Sequence, residues 1–137
     1  MLGDRVWEGT GNTTGTRVLP GDDFRYVKLE LTIEGSGKVL GMDATNMGTF
    51  STFERVPGQM YAQGQGIMMT ADGQSAIWNG HGIGHPTGDG MGITIRYAVA
   101  VQADPAGALA ALNGCLLVGE FESAADGSWT DAGWEWK

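Results

Sequence analysis

The chain is expected to fold as an all-β protein, a single antiparallel meander of eight or nine strands with one short helix before the last strands. Three observations carry this. The longest apolar segments alternate apolar and polar residues with period two. Turn signals recur about every ten residues, the spacing of short hairpin-connected strands. Glycine supplies 24 of 137 residues against only 4 prolines, more than twice its usual share of about 7 %, so the glycines punctuate a folded chain rather than a disordered one.

The elements follow in order. "RYVKLELTIEG" sets Val27, Leu29, Leu31 and Ile33 on one face and Tyr26, Lys28, Glu30, Thr32 and Glu34 on the other, the pattern of a half-buried antiparallel strand. "GITIRYAVAV" repeats it, with Ile93, Ile95, Tyr97, Val99 and Val101 opposing Thr94, Arg96, Ala98 and Ala100, and near the C-terminus Trp134 and Trp136 alternate with Glu135 and Lys137. The turn signals between strands are "PGDD", "EGSG", "VPGQ", "ADGQ", "HPTGDG" and "AADGS". "DPAGALAALNG" departs from the pattern: Asp104 suits an N-cap, Pro105 the first helical position, and Asn113-Gly114 the C-terminal cap, so a short helix is expected across an end or side of the sheet. No linker divides residues 1–137, which form one domain with one core.

The sharpest local signal is Asp72-Gly73, which suits a two-residue type I′ turn. That turn would place Ile67 opposite Trp78, Gln65 opposite Gly80, Gln63 opposite Gly82 and Tyr61 opposite Gly84. Pairing Gly84 with Met91 in the next hairpin sets Trp78 beside Tyr97, Gly80 beside Ile95 and Ala76 beside Val99. One face then collects Tyr61, Gln63, Gln65, Ile67, Met69, Ala76, Trp78, Ile93, Ile95, Tyr97 and Val99, and its apolar character points it inward. Asn79, His81, Thr94 and Arg96 point outward. Gly80, Gly82 and Gly84 share the inward face. Three side-chain-free positions there either let the sheet bend or an aromatic ring lie across the backbone, or leave room for a ligand.

Composition limits the function classes. A formal net charge of −8 and no basic stripe argue against a nucleic-acid partner. Cys115 is the sole cysteine, no signal-peptide pattern opens the chain, and no apolar run nears the ~18 residues of a membrane span, so a cytoplasmic protein without a membrane partner is expected. "GHGIGH" lacks the spacing and the lysine of a phosphate loop. His81 and His85 would stand about 13 Å apart on a strand, so no metal is expected between them. "GDD", "TGDG" and "DGSWTD" read as solvated acidic turns rather than calcium loops. Cys115 reads as a small buried residue, and the methionines of "GMDATNMG" with Met60, Met68 and Met69 as core. Two polar groupings remain. Tyr61, Gln63, Gln65, Trp78 and Tyr97, beside the three glycines, would give an apolar interior a few hydrogen-bonding groups, the make-up of a small-molecule pocket. Asn79, His81 and Arg96 form an alternative outward site.

The segments "GTGNTTGTRVLP", "MYAQGQGI", "IWNGHGIG", "ITIRYAV", "LNGCLLVGEFE" and the terminal "WEWK" resemble a group of small uncharacterised prokaryotic proteins, itself similar to the allene oxide cyclase barrel-like family. The resemblance implies an eight-stranded up-and-down antiparallel barrel, calycin-like, homo-oligomeric, with an apolar cavity open at one end. In the cyclase members an inward carboxylate and an ordered water support the chemistry. No inward carboxylate is placed here: Glu30 and Glu34 lie opposite the apolar face, and Asp43, Glu54 and Glu122 are ambiguous. The expected function is binding of a small apolar ligand, and any catalysis a cofactor-free isomerisation or cyclisation. The competing expectation is a non-catalytic structural barrel with a filled interior that forms oligomers.

Overall fold

The computed structural model describes residues 1–20 and 27–137. The expected turn at "GDD" (21–23) and Tyr26 lie outside the described residues. Eight strands are present among the described residues, β1 (Leu2–Leu19), β2 (Lys28–Val39), β3 (Met42–Val56), β4 (Gln59–Thr70), β5 (Ser75–Pro86), β6 (Ile93–Ala103), β7 (Leu116–Ser123) and β8 (Ser128–Trp136). Each pairs antiparallel with the next, and β1 pairs with β8 to close an up-and-down barrel. Closure satisfies the ladder hydrogen bonds that an open sheet would leave at its edges.

The β4–β5 hairpin is one residue out of the expected register. Observed partners are Tyr61 with Ile83, Gln63 with His81, Gln65 with Asn79 and Gly66 with Trp78. The connection is a three-residue loop: Thr70 N–H donates to Gln74 O (2.8 Å) and Gly73 N–H to Thr70 O (3.0 Å). Gly73 takes φ +88° and Asp72 does not have a positive φ, whereas a type I′ turn needs both. The Thr70 hydroxyl accepts from Gln74 N–H (3.1 Å) and holds the longer loop. Because side chains alternate, one residue of slip exchanges faces. Tyr61, Gln63, Gln65, Ile67 and Met69 therefore stand on the outer face, and Ala62 and Met68 are in the core. The positive-φ pair expected at Asp72-Gly73 occurs instead at Leu40-Gly41 (φ +49° and +79°), between β2 and β3. "EGSG" is not a turn but runs through β2.

The β5–β6 pairing is shifted by four residues: Gly84 faces Ile95, Gly82 Tyr97, Gly80 Val99, Trp78 Val101 and Ala76 Ala103. An even shift preserves the faces. Ile93, Ile95, Val99 and Val101 are buried inward, while Asn79, His81 and Arg96 are exposed outside, as the alternation requires.

The helix expected over 104–114 is a series of turns ending in a single 3₁₀ turn, Ala110–Leu112. Asp104 Oδ1 accepts from Ala106 N–H (2.9 Å), and Gln74 Oε1 accepts from Ala108 N–H (3.3 Å), so side chains take up amides that an α-helix would have left uncapped. So short a segment cannot offset the cost of α nucleation. It caps the barrel instead. Leu109 and Leu112 are each 1 % exposed, a burial worth about 1.5–3 kcal/mol apiece. The Asn113 amide pins the segment to β6 through both backbone groups of Ala103 (2.7 and 2.8 Å).

The interior consists of two apolar clusters. One, under the Leu109–Leu112 cap, contains Val6, Trp7, Val39, Met68, Val99 and Leu117; the other contains Ile33, Phe50, Ile93, Ile95, Phe121 and Trp129, and Tyr97 packs against both. Glycines make room for the inward rings. A Cβ on Gly48 or Gly66 would stand 2.4 or 2.3 Å from Trp78 Cζ2, one on Gly9 2.4 Å from Trp7, one on Gly35 2.6 Å from Trp129, and one on Gly119 2.2 Å from Tyr97. The high glycine content thus lets four aromatic side chains lie across the barrel wall at van der Waals distance.

Candidate functional site

Between the two clusters lies a cavity of about 90 Å³, with Ile33, Phe50, Ala62, Met68, Trp78, Ile95, Tyr97, Val99, Leu117 and Phe121 among its walls. Its polar side chains come from Asn46 on β3 and Asp131 on β8. The Gln63 and His81 segments contribute wall as well, though their side chains stand on the outer face. Asn46 is committed to the fold: its Oδ1 accepts from Trp78 Nε1–H (2.9 Å) and fixes that ring over Gly48 and Gly66.

Asp131 is the residue that sequence reasoning missed. Only the first half of the acidic turn expected at "DGSWTD" turns, with Asp126 Oδ1 accepting from Ser128 N–H (2.9 Å) and Oγ–H (2.7 Å). From Ser128 the chain is already strand, and alternation sends Trp129, Asp131 and Gly133 inward. Trp134 and Trp136 consequently point outward, Trp134 under the Arg5 guanidinium (5.1 Å) and Trp136 54 % exposed. The available signal was period-two alternation counted back from Gly133 through Trp129, with the conspicuous tryptophans at 134 and 136 pointing to the opposite face.

Two interior donors hold the Asp131 carboxyl. Tyr97 O–H donates to Oδ1 and Trp7 Nε1–H to Oδ2, each at 2.9 Å. No lysine, arginine or histidine among the described residues pairs with it. Burial pushes its pKa up to about 6, against the opposing pull of the hydrogen bonds from Tyr97, Trp7 and the Ala132 backbone. Burial, then the adjacent Asp131 charge, raise Tyr97 well above the ordinary phenol value, so Tyr97 stays protonated and remains a donor. The cavity therefore presents one carboxyl group that titrates near neutrality on an otherwise apolar wall, which equips it to accept a hydrogen bond or a proton.

The other expected site residues divide between the two sides of the barrel. Trp78, Tyr97, Gly80 and Gly82 line the cavity; Gly84 is buried farther along β5 and does not. At these three glycines the crowding comes from the β6 backbone and its aliphatic side chains rather than from a ring: a Cβ on Gly80 would stand 2.1 Å from Ala98 O and 2.7 Å from Val99 Cγ1, one on Gly82 2.7 Å from Ile95 Cγ2, and one on Gly84 3.1 Å from Ile95 Cγ1. Gln63 and Gln65 are exposed on the outside. Tyr61, also outside, hydrogen-bonds through its hydroxyl to His81 Nδ1. Tyr61, His81, Arg96, Leu2 and Trp134 border an open surface groove of about 620 Å³, which Asn79 does not join. Arg96 is drawn toward Glu120 (3.6 Å) and Glu122 (3.9 Å).

Cys115 is partly buried just before β7, its Sγ 3.2 Å from Ala111 O and 3.4 Å from Glu135 Oε1. Burial, then Glu135, raise its pKa, which suppresses the reactive thiolate. No cluster of three or more His, Cys, Asp or Glu able to hold a metal occurs among the described residues. No helix there is long and apolar enough to cross a membrane.

No family model and no curated protein matches the chain. Solved structures do, among them the following two. A conserved protein of unknown function from Rhodopseudomonas palustris superposes with a TM-score of 0.77 at 17 % identity, over 99 % of both chains. A protein of unknown function from Clostridium acetobutylicum ATCC 824 superposes with a TM-score of 0.80 at 12 % identity, over 98 % of both. At such identities the likeness extends to the fold: this chain is an eight-stranded β-barrel of the same kind as two uncharacterised bacterial proteins.

Proposed function

We propose that the barrel interior binds a small, predominantly apolar molecule, with Asp131 as its polar anchor and Trp78, Tyr97, Gly80 and Gly82 as part of the wall. One observation carries this reading: a cavity of about 90 Å³ lies in an otherwise close-packed interior, and a carboxyl group held by two fixed donors reaches its wall. Apolar walls with few convergent polar groups are the usual composition of a ligand site. The volume is well under the ~300 Å³ of a drug-sized pocket, which limits the ligand to a few heavy atoms or to one end of a longer chain. The chemistry such an interior supports without a cofactor is proton transfer at Asp131, in keeping with the isomerisation or cyclisation that the family resemblance implies. Xenon, which enters apolar protein cavities, tests the binding reading. Xenon pressure should shift ¹³C methyl resonances of Val99, Ile95 and Leu117 saturably in the wild type and much less in Ala62→Val, which fills part of the cavity. Unmoved methyl resonances in the wild type would overturn it.

A second reading concerns association of like chains through the outer face of β3–β5. Met47, Ile67 and Ile77 are cross-strand neighbours there, Met69 adjoins them, and Met47, Met69 and Ile77 are 49 %, 44 % and 54 % exposed. A contiguous apolar strip on the outside of a barrel is the kind of surface that a subunit contact covers. Multi-angle light scattering of the purified chain tests it; a monomer at all concentrations would overturn it.

A further inference from the structure

We infer that the ligand of the barrel interior is a small organic ammonium ion, bound through its charge to Asp131 and through its alkyl groups to the aromatic wall. The inference rests on the reading of the cavity as a binding site and adds the chemical class of the ligand. Three observations lead to it.

The first is the unbalanced carboxyl group. Asp131 has two side-chain donors, Tyr97 and Trp7, and the Ala132 backbone amide, but no cation among the described residues. An ionised carboxylate offers about four acceptor positions, so one remains. A negative charge surrounded by apolar side chains and neutral donors is costly, and a bound cation is the ligand that most relieves it. A neutral hydroxyl would fill the remaining acceptor position and leave the charge uncompensated. A carboxylate or phosphate would meet like charge.

The second is the wall. Trp7, Trp78, Tyr97, Phe50 and Phe121 line the same cavity, and the faces of such rings attract cations within about 6 Å of their centroids. An aromatic enclosure with one carboxylate is the combination that distinguishes an alkylammonium from a neutral molecule of the same shape.

The third is charge at long range. The chain carries a formal net charge of −8, which raises the local concentration of small cations and opposes anions. Size sets the upper limit. An apolar cavity of about 150 Å³ holds a benzene ring, so about 90 Å³ is enough for an amine of three or four heavy atoms.

The test compares n-propylammonium with n-propanol, its neutral counterpart, on the intact protein at pH 7.5 by titration calorimetry, with xenon as a probe of the cavity independent of charge. The ammonium should bind at least tenfold more tightly than the alcohol in the wild type, and Asp131→Asn should reduce that ratio to near one while leaving xenon uptake intact. In ¹³C-labelled wild type the Asp131 carboxyl resonance should move on titration with the ammonium and not with the alcohol, a readout that needs no variant to fold. Equal affinities, or an unmoved Asp131 resonance, with xenon still entering would overturn the ammonium assignment and leave the binding site standing. Exclusion of xenon as well as both ligands would overturn the site itself.

Discussion

Replacing Asp131 with asparagine should remove a pH dependence of stability that the wild type carries between about pH 4 and pH 6. In the folded chain the carboxyl group titrates near 6 rather than at the ordinary 3.8. Between those values the folded state keeps a proton that the unfolded state has lost, so stability falls as pH rises through this window. Below about pH 4 both states are protonated and above about 6 both are ionised, so the contribution is flat on either side. Each pH unit of separation is worth about 1.4 kcal/mol, so the wild type loses about 3 kcal/mol across the window from this group alone. Asparagine carries no charge but gives up an acceptor to Tyr97 or Trp7, at a cost of about 1–3 kcal/mol at every pH. The variant should therefore be the less stable protein at pH 4 and draw level with or pass the wild type by pH 7. Urea unfolding followed by tryptophan fluorescence at half-unit steps from pH 4 to 8 measures this. The wild-type-minus-variant difference is the quantity to plot. Hydrogen bonds from Thr70 to Asp72 and from Ser128 to Asp126 pull those exposed carboxyls below their usual values, which adds an opposite slope to both proteins that cancels in the difference. A difference that is flat, or that grows in the wild type's favour with rising pH, would refute the placement of Asp131 in the apolar interior.

Four further outcomes follow from the same geometry. Gly66→Ala would bring a Cβ to 2.3 Å from Trp78 and 2.5 Å from the Met47 carbonyl; it should destabilise the barrel by about 1–3 kcal/mol in urea titrations, as overpacking does, and Gly82→Leu should likewise destabilise rather than merely block the cavity, because its Cβ meets the Arg96 carbonyl at 2.9 Å. Gly73→Ala meets nothing within 4 Å and should lose only the cost of a positive φ, about 1–2 kcal/mol by thermal or urea unfolding. Ile77→Lys, at the centre of the exposed outer strip, should leave the unfolding midpoint of the monomer nearly unchanged while lowering the mass measured by light scattering; unchanged mass in an associating wild type would place the contact elsewhere.

The fold was legible wherever one face of a strand is apolar over its whole length. The facing of β6, and of β2 at Ile33, follows from the alternation, since Ile33, Ile95 and Val99 leave no choice of side, whereas Val27 lies exposed before β2 and the strand runs on through the expected turn at "EGSG". β4 was misread because "YAQGQGIMM" offers weak contrast: both faces carry apolar residues and glycine, so the register depended on the turn, and an Asp-Gly pair serves a three-residue loop as well as a two-residue one. The same weakness hid the candidate site. Asp131 sits in a polar run next to a turn, and nothing local distinguishes a carboxylate that is hydrogen-bonded by Tyr97, 34 residues away, and by Trp7, 124 residues away, from one in solvent.

Local patterning alone thus determined that this chain is all-β, antiparallel and glycine-punctuated, because alternation, turn chemistry and composition act over a few residues at a time. It also placed His81 and Arg96 outside, because an even error in register leaves faces unchanged. Only the closed barrel decided which glycines lie beneath which rings, how small the remaining cavity is, and that an aspartate next to a turn faces it. Those properties belong to side chains brought together by β1 pairing with β8 and β6 with β7, and no window of sequence contains them.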